Sequence, residues 1–295
     1  MTSDNENQWV GVILAAGIGS RMRSSIPKPL HSLCGRTLLG QTMCVLKDAG
    51  VQRLVVVVSP LIAADPAFAE VVGEDAGVAI QTEPRGTGDA LLTASDAVDG
   101  ASQILVANAD MPLVTPKTIR TMLSTHTESG AAITLLTGRG SVPAGFGRVR
   151  RDTGGGVTAI VEEAEADEAA LSLDEFNAGY YCMDAPAAWG LLAGLTPAGN
   201  GEIYITDAVA AAVDSGASVG AVVSDDPSEL SGVNDRTELA EAEALLRDRI
   251  RRHWMLEGVS MTDPATTYID SDVTIGQDTI IRPNSHLLGS TEVGM

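Results

Sequence analysis

The residues best equipped for chemistry begin in the stretch Val10 to Leu30, VGVILAAGIGSRMRSSIPKPL. Arg21 and Lys28 follow a segment with almost no side chain, Leu14, Ala15, Ala16, Gly17 and Gly19. Such a backbone lets a phosphate approach closely and offers its N–H groups as donors, and the two cations neutralise the charge. The chemistry implied is binding of a nucleotide at the end of the first strand. Gly17-x-Gly19 alone is a weak signal, because it lacks both a third glycine and the GK[ST] of a P-loop. Gln81 comes next, since an amide can read both a donor and an acceptor on a base edge. It is followed by Gly86-Thr87, which could open a helix toward a ligand. On this segment alone an ordinary strand–turn–helix junction is the better reading. Asp110 lies just past a buried strand and ahead of Pro112, a position suited to a metal ligand or to a turn. Glu162 and Asn177 supply the carboxylate and amide that bridge sugar hydroxyls, whereas Glu163, Glu165 and Glu168 read as a solvated acidic patch.

These residues need strands and helices to bring them together. Val10–Leu14, Leu54–Val58, Val78–Gln81 and Ile104–Ala107 are short apolar runs of the kind buried in parallel sheets. Helical spacing over Leu38–Ala49 and the small-residue segment Ala90–Ala97 alternate with them. The pattern predicts an α/β fold with a doubly wound, Rossmann-like, mostly parallel sheet. Gly154–Gly156 marks a hairpin leading into Val157–Val161, an acidic helical stretch is expected over Ala164–Leu171, and Val222-Val223 reads as a last strand. Thr237–Glu257 is a strong helix, with Asp235 and Glu238 spaced for a capping box and arginines gathered late. Those arginines are expected to be solvated or paired. Ile269, Ile275, Ile281 and Leu287 recur every six residues, the period of a left-handed parallel β-helix.

Composition narrows the function classes. The chain has 295 residues, 19 Lys and Arg against 39 Asp and Glu, and a formal charge of −20. That balance argues against nucleic-acid partners and anionic membranes. Three cysteines, Cys34, Cys44 and Cys182, with no C-x-x-C, point to reduced thiols. The polar MTSDNENQW start is no signal peptide and no apolar run has membrane-spanning length, so a cytoplasmic protein is expected.

In combination these segments resemble a known family. Leu14 to Met22 with Pro27-Lys28 resembles the L-A-A-G-x-G-[ST]-R-M…P-K signature of sugar-1-phosphate nucleotidylyltransferases. Gln81 with Gly86-Thr87-Gly88 resembles the uracil-binding segment of the uridylyltransferases. Asn108-Ala109-Asp110-Met111-Pro112-Leu113 is similar to G-D-x-P-L, with Ala109 in the glycine position. Gly145-Phe146-Gly147-Arg148, Val161-Glu162-Glu163 and Glu175-x-Asn177-x-Gly179 are similar, in that order, to the sugar-binding half of the N-acetylglucosamine-1-phosphate uridylyltransferases. Asn200 to Asp207 is similar to N-x-x-E-x-Y-[LI]-T-D, and Gly232-Val233-Asn234-Asp235-Arg236 to G-V-N-[ND]-R. Asp263 to Ile269 resembles the start of the β-helical half of bacterial bifunctional enzymes that also acetylate glucosamine 1-phosphate.

The resemblance implies a transfer of UMP from UTP to N-acetylglucosamine 1-phosphate with Mg2+ as cofactor. It implies Asp110 and Asn234 as metal ligands and Arg21 and Lys28 as catalytic cations. Leu14, Ala15, Ala16, Gly17, Gln81, Gly86 and Thr87 would bind the nucleotide. Gly147, Glu162, Asn177, Tyr204 and Thr206 would face the sugar, with Asp207 as a helix cap. The expected units are residues 1–236 as the transferase, 237–258 as a helical linker, and 259–295 as the first hexads of a shortened β-helix. The family's homotrimer forms through complete β-helices, so this chain is expected to be monomeric or weakly associated and to lack acetyltransferase activity. A relative acting on another sugar phosphate or nucleotide, or a regulatory module that only binds a sugar nucleotide, are the alternatives. The full set Arg21, Lys28, Asp110 and Asn234 disfavours the last.

Overall fold

A computed structural model describes residues 9–74 and 76–294. The reading of the first eight residues as no signal peptide lies outside them. The centre of the molecule is a sheet with β1 (Trp9–Leu14), β2 (Arg53–Val58), β3 (Ala76–Ile80) and β4 (Gln103–Asn108) side by side and parallel. Val12 is opposite Val55 on one neighbour and Val106 on the other. These strands are apolar throughout because both faces are covered. Ile13, Leu54 and Val56 point to one layer with Leu39 and Leu46, while Val12, Val55 and Val57 point to the other with Leu91 and Val209. The first layer includes helix α1 (Leu38–Asp48), started by Thr37, whose hydroxyl accepts from the Gly40 N–H. The second includes α2 (Thr87–Thr93).

The far half of the sheet is not a continuation of this pattern. After α3 (Pro116–Ser129) come β5 (Ile133–Arg139), the hairpin β6 (Arg148–Arg151) and β7 (Val157–Val161), and the long β8 (Glu175–Asp184). Strand β8 runs antiparallel between β4 and β5, so the parallel sheet carries one reversed internal strand. Its pairing with β5 shifts register between Asn177, still opposite Thr137, and Tyr181, a bulge that interrupts the ladder there. The β6–β7 hairpin joins the sheet through one pairing, Phe176 with Arg148. Helices α4 (Ala185–Ala193) and α5 (Asp207–Asp214) cover the second layer, and β9 (Val219–Val223) adds parallel to β5. The expected acidic helix is two short turns instead, Glu163–Glu165 and Glu168–Leu171.

Helix α6 (Arg236–Leu256) lies one residue earlier than the expected Thr237–Glu257 and starts after the expected cap, Asp235. Asp235 accepts from the N–H groups of Thr237 and Glu238, and the Glu238 carboxylate reaches back to the Asn234 N–H at 2.5 Å, one residue beyond the usual box. Three of its late arginines are paired, Arg247 with Glu243, Arg249 with Asp226, and Arg251 with Asp248 and the Pro264 carbonyl, while Arg252 is exposed. Beyond it, Tyr268-Ile269 pairs in parallel with His286-Leu287, and Thr274-Ile275 with Glu292-Val293. Each pair is eighteen residues apart (286 − 268), which is three hexads per coil. Ile269, Ile275 and Ile281 point inward with Val259 and Val273 and pack against Ile250 and Trp254 of α6.

Candidate active site

The C-terminal ends of β1 and β4 are adjacent, with Leu14 opposite Asn108. Whatever follows these two strands therefore meets in space. After β1 the chain carries Arg21 on one 3-10 turn and Lys28 on a second. After β4 comes Asp110, whose carbonyl accepts from the Val233 N–H at 2.8 Å and so fixes the segment holding Asn234. The Lys28 ammonium donates to Asp110 Oδ2 at 2.6 Å and to Asn234 Oδ1 at 3.1 Å. Arg21 Nη2 donates to the same Asn234 oxygen at 3.0 Å. Lys28 thus joins Asp110 to Asn234 and Arg21 shares the Asn234 oxygen, beside a cleft of about 480 Å³ that Glu202 also lines.

The same geometry tests the metal assignment. Asp110 and Asn234 each aim an oxygen at a single point, the Lys28 nitrogen. Two converging hard oxygens suit a divalent cation that takes its remaining ligands from phosphate and water. No group of three or more His, Cys, Asp or Glu capable of holding a metal occurs among the described residues. The donor set fits a cation shared with a substrate and not one caged by protein alone.

Leu14, Ala16, Gly17, Gln81, Gly86 and Thr87 line an adjoining cleft of about 440 Å³, and Ala15 lines the neighbouring one. Gln81 Nε2 donates to the Gly86 carbonyl at 3.1 Å and to Asp89 Oδ2 at 2.8 Å. Two acceptors on one side fix which end of the amide is nitrogen. Gln81 Oε1 is left with no protein donor among the described residues. Gly86 has φ +97°, and a Cβ there would sit 2.5 Å from the Ile203 carbonyl oxygen. The Thr87 hydroxyl accepts from the Ile205 N–H at 3.1 Å, and Gly88 N–H donates to Ile203 at 2.8 Å. The start of α2 is therefore bound partly to the 203–205 loop, and Thr87 lines the cleft while bracing its wall.

Gly147, Glu162, Asn177, Tyr204 and Thr206 all line a third cavity, of about 220 Å³. Thr206 donates its hydroxyl to Glu162 Oε1 at 2.7 Å. Burial pushes the Glu162 carboxyl above its ordinary range, with the Thr206 hydrogen bond opposing. A Cβ at Gly147 would press on Ile160 at 2.8 Å, so only glycine fits there. The Tyr204 hydroxyl accepts from Asn200 at 2.6 Å. Thr87 and Asp110 line all three cavities, which makes them one cleft with the cationic cluster in the middle.

Two expectations are corrected. Asp207 is the first residue of α5 and the cap position falls to Thr206, which makes no capping bond because its hydroxyl donates to Glu162. Glu163 is not merely solvated: it accepts from the Gly145 N–H at 2.6 Å and pairs with Arg148, tying down the loop before Gly147. Glu165 and Glu168 are exposed as expected. Sequence reasoning passed over Asp89, Glu202 and Tyr181. Asp89 directly follows Gly86-Thr87-Gly88 and Glu202 lies within Asn200–Asp207, so both were within reach, whereas Tyr181 lies in an apolar strand with no polar pattern. Glu175, quoted in a motif but given no role from the sequence, is buried and held by Thr137, Arg139 and Arg151, and so fastens β8, β5 and β6 next to Asn177.

A family model, the MobA-like NTP transferase domain, matches residues 11–175, which take in most of β1, all of β2 to β4 and Asp110. The chain belongs to this NTP transferase family. It is similar along nearly its whole length to longer proteins. The bifunctional protein GlmU of Trichlorobacter lovleyi is 42% identical over 287 residues, 96% of this chain and 62% of that protein. Those of Mycolicibacterium gilvum and Thermobifida fusca are 41% and 39% identical, over 96% of this chain and 58% and 60% of theirs. The chain thus spans about three fifths of the relatives it matches. None of its described helices is long and apolar enough to cross a membrane.

Proposed function

We propose that this NTP transferase transfers UMP from UTP to N-acetyl-α-D-glucosamine 1-phosphate, releasing pyrophosphate and giving UDP-N-acetylglucosamine in the cytoplasm. The observation that carries this reading is the placement of Arg21, Lys28, Asp110 and Asn234 between two polar clefts. One cleft presents the Gln81 amide oxygen, an acceptor for the N–H of uracil. The other presents Glu162 and Asn177, partners for sugar hydroxyls. The names of the relatives, and the resemblance of each motif, support the choice of sugar and nucleotide.

A phosphate oxygen of the sugar phosphate attacks the α-phosphorus of UTP in line. The bond from that phosphorus to the bridging oxygen of the β-phosphate breaks, and pyrophosphate leaves. The nucleophile is already an anion, so the step needs no general base. The task is to hold two anions together and neutralise the charge that builds up. Arg21 and Lys28 do this by turning from Asn234 and Asp110 to the phosphates. Mg2+, held by Asp110 and Asn234, supplies further neutralisation of phosphate oxygens when bound. Residues 1–236 carry every group in this scheme, and the β-helical start, which docks on Cys34 and Arg36, supplies none of them. A pyrophosphate-release assay with UTP and N-acetylglucosamine 1-phosphate tests the proposal, and absence of release with that pair rejects it.

A further inference from the structure

We propose that Tyr181 is a sugar-contacting residue whose phenol hydrogen donates to an acceptor oxygen of the bound sugar. This rests on the reading of the 220 Å³ cavity as the sugar end of the cleft. Tyr181 follows the bulge in β8, is 1% exposed, and lines that cavity.

Its hydrogen-bond direction is fixed by its neighbour. Gly179 N–H donates to Asn177 Oδ1 at 3.1 Å, which settles that this end of the amide is oxygen. The other end, Nδ2, then faces Tyr181 and donates to its hydroxyl at 2.7 Å. The phenol oxygen is an acceptor in that bond, so its own hydrogen points elsewhere. No protein acceptor takes that hydrogen among the described residues. The adjacent Tyr180 provides the contrast: alternation sends it to the opposite face, where its hydroxyl donates to the Met111 carbonyl at 3.1 Å. One tyrosine is satisfied within the protein and the other keeps a buried donor open to the cavity.

A buried O–H without an acceptor is costly, and a ligand oxygen removes the cost. The rest of the wall has the same character. Asn177 Nδ2 has a second hydrogen to offer, and Glu162 keeps Oε2 after Thr206 takes Oε1. Two donors and one acceptor match a sugar rich in hydroxyl or amide oxygen. They leave an apolar occupant with three unmet groups.

The test uses Tyr181→Phe in the full chain, which keeps the ring and removes the hydroxyl. The expected result is a KM for N-acetylglucosamine 1-phosphate raised roughly 3- to 10-fold, the range for one neutral hydrogen bond, with the KM for UTP unchanged. A role in merely holding Asn177 is separated by repeating the change in an Asn177→Ser background, where the serine hydroxyl still serves the Gly179 N–H. A further rise in KM there supports direct donation. No further rise, or no change from Tyr181→Phe in the first place, overturns it. Wild-type protein that turns over no sugar 1-phosphate overturns the underlying reading and this inference together.

Discussion

Replacing Gln81 with leucine keeps most of the side-chain volume and removes both ends of the amide. The cost to the fold is small. The Gly86 carbonyl still accepts from Ala90 N–H at 3.1 Å, and Asp89 is only half-buried and can take water. The loss is therefore about 1 kcal/mol, a fall in melting temperature of about 2–4 °C. The effect on base choice is larger. The fixed Oε1 accepts from the uracil N–H but opposes the lone pair that cytosine carries in its place. Losing one neutral hydrogen bond lowers kcat/KM for UTP by about 10-fold, while use of CTP is unchanged or improved. The ratio of kcat/KM for UTP over CTP should then drop by at least about 10-fold. Pyrophosphate release with each nucleotide, at fixed sugar phosphate, reads that ratio directly. An equal loss with both nucleotides would refute the reasoning and leave Gln81 as a brace for the turn at Gly86.

Three further outcomes are expected. Asp110→Asn removes the carboxylate opposite Lys28 and half of the proposed metal donor set, so turnover should fall by about 10²–10³-fold with the melting curve retained; near-normal turnover at saturating Mg2+ contradicts the assignment. Glu175→Gln leaves Arg151 without its carboxylate and should cost about 2–4 kcal/mol in chemical denaturation. Burial opposes the charge on Glu175, but hydrogen bonds from Arg151, Thr137 and Arg139 outweigh it and hold its carboxyl below the ordinary 4.5. Its stabilisation is thus complete above that value and lost as pH falls through the lowered one, so the gap between wild type and variant should close in acid; a gap independent of pH contradicts this. Deleting residues 259–295 should leave transfer activity within about a few-fold, since no described residue past Asn234 lines the cleft. The stability of the shortened chain should fall because Ile250 and Trp254 lose their cover; inactivity of a folded deletion variant would show that the β-helix supports the site.

The first half of the sheet was legible because β1, β2 and β4 are continuous apolar runs with glycine or polar breaks between them. Strand β8 was not, because EFNAGYYCMD mixes polar and apolar residues. Its buried Glu175 is satisfied by partners far along the chain, Arg139 and Arg151, while the Asn177 side chain is held inside the strand by Tyr181 and the Gly179 N–H. Helix α4 was hidden for another reason: it is apolar nearly all round and shows no stripe. The cationic cluster was legible as types and spacing, yet nothing in the sequence shows that the Lys28 ammonium sits on the two oxygens assigned to a metal. Nor could it show that Glu163 ties a loop while Glu165 and Glu168 stay in water, since three acidic residues in one stretch look alike until the Gly145 amide is placed beside one of them.

The most direct measurement is pyrophosphate release by the purified chain across four nucleoside triphosphates and several sugar 1-phosphates, with and without Mg2+. The expected result is Mg2+-dependent release that is fastest with UTP and N-acetylglucosamine 1-phosphate and falls when either partner is exchanged. Release with no pair, or a clear preference for a different base or sugar, would contradict it.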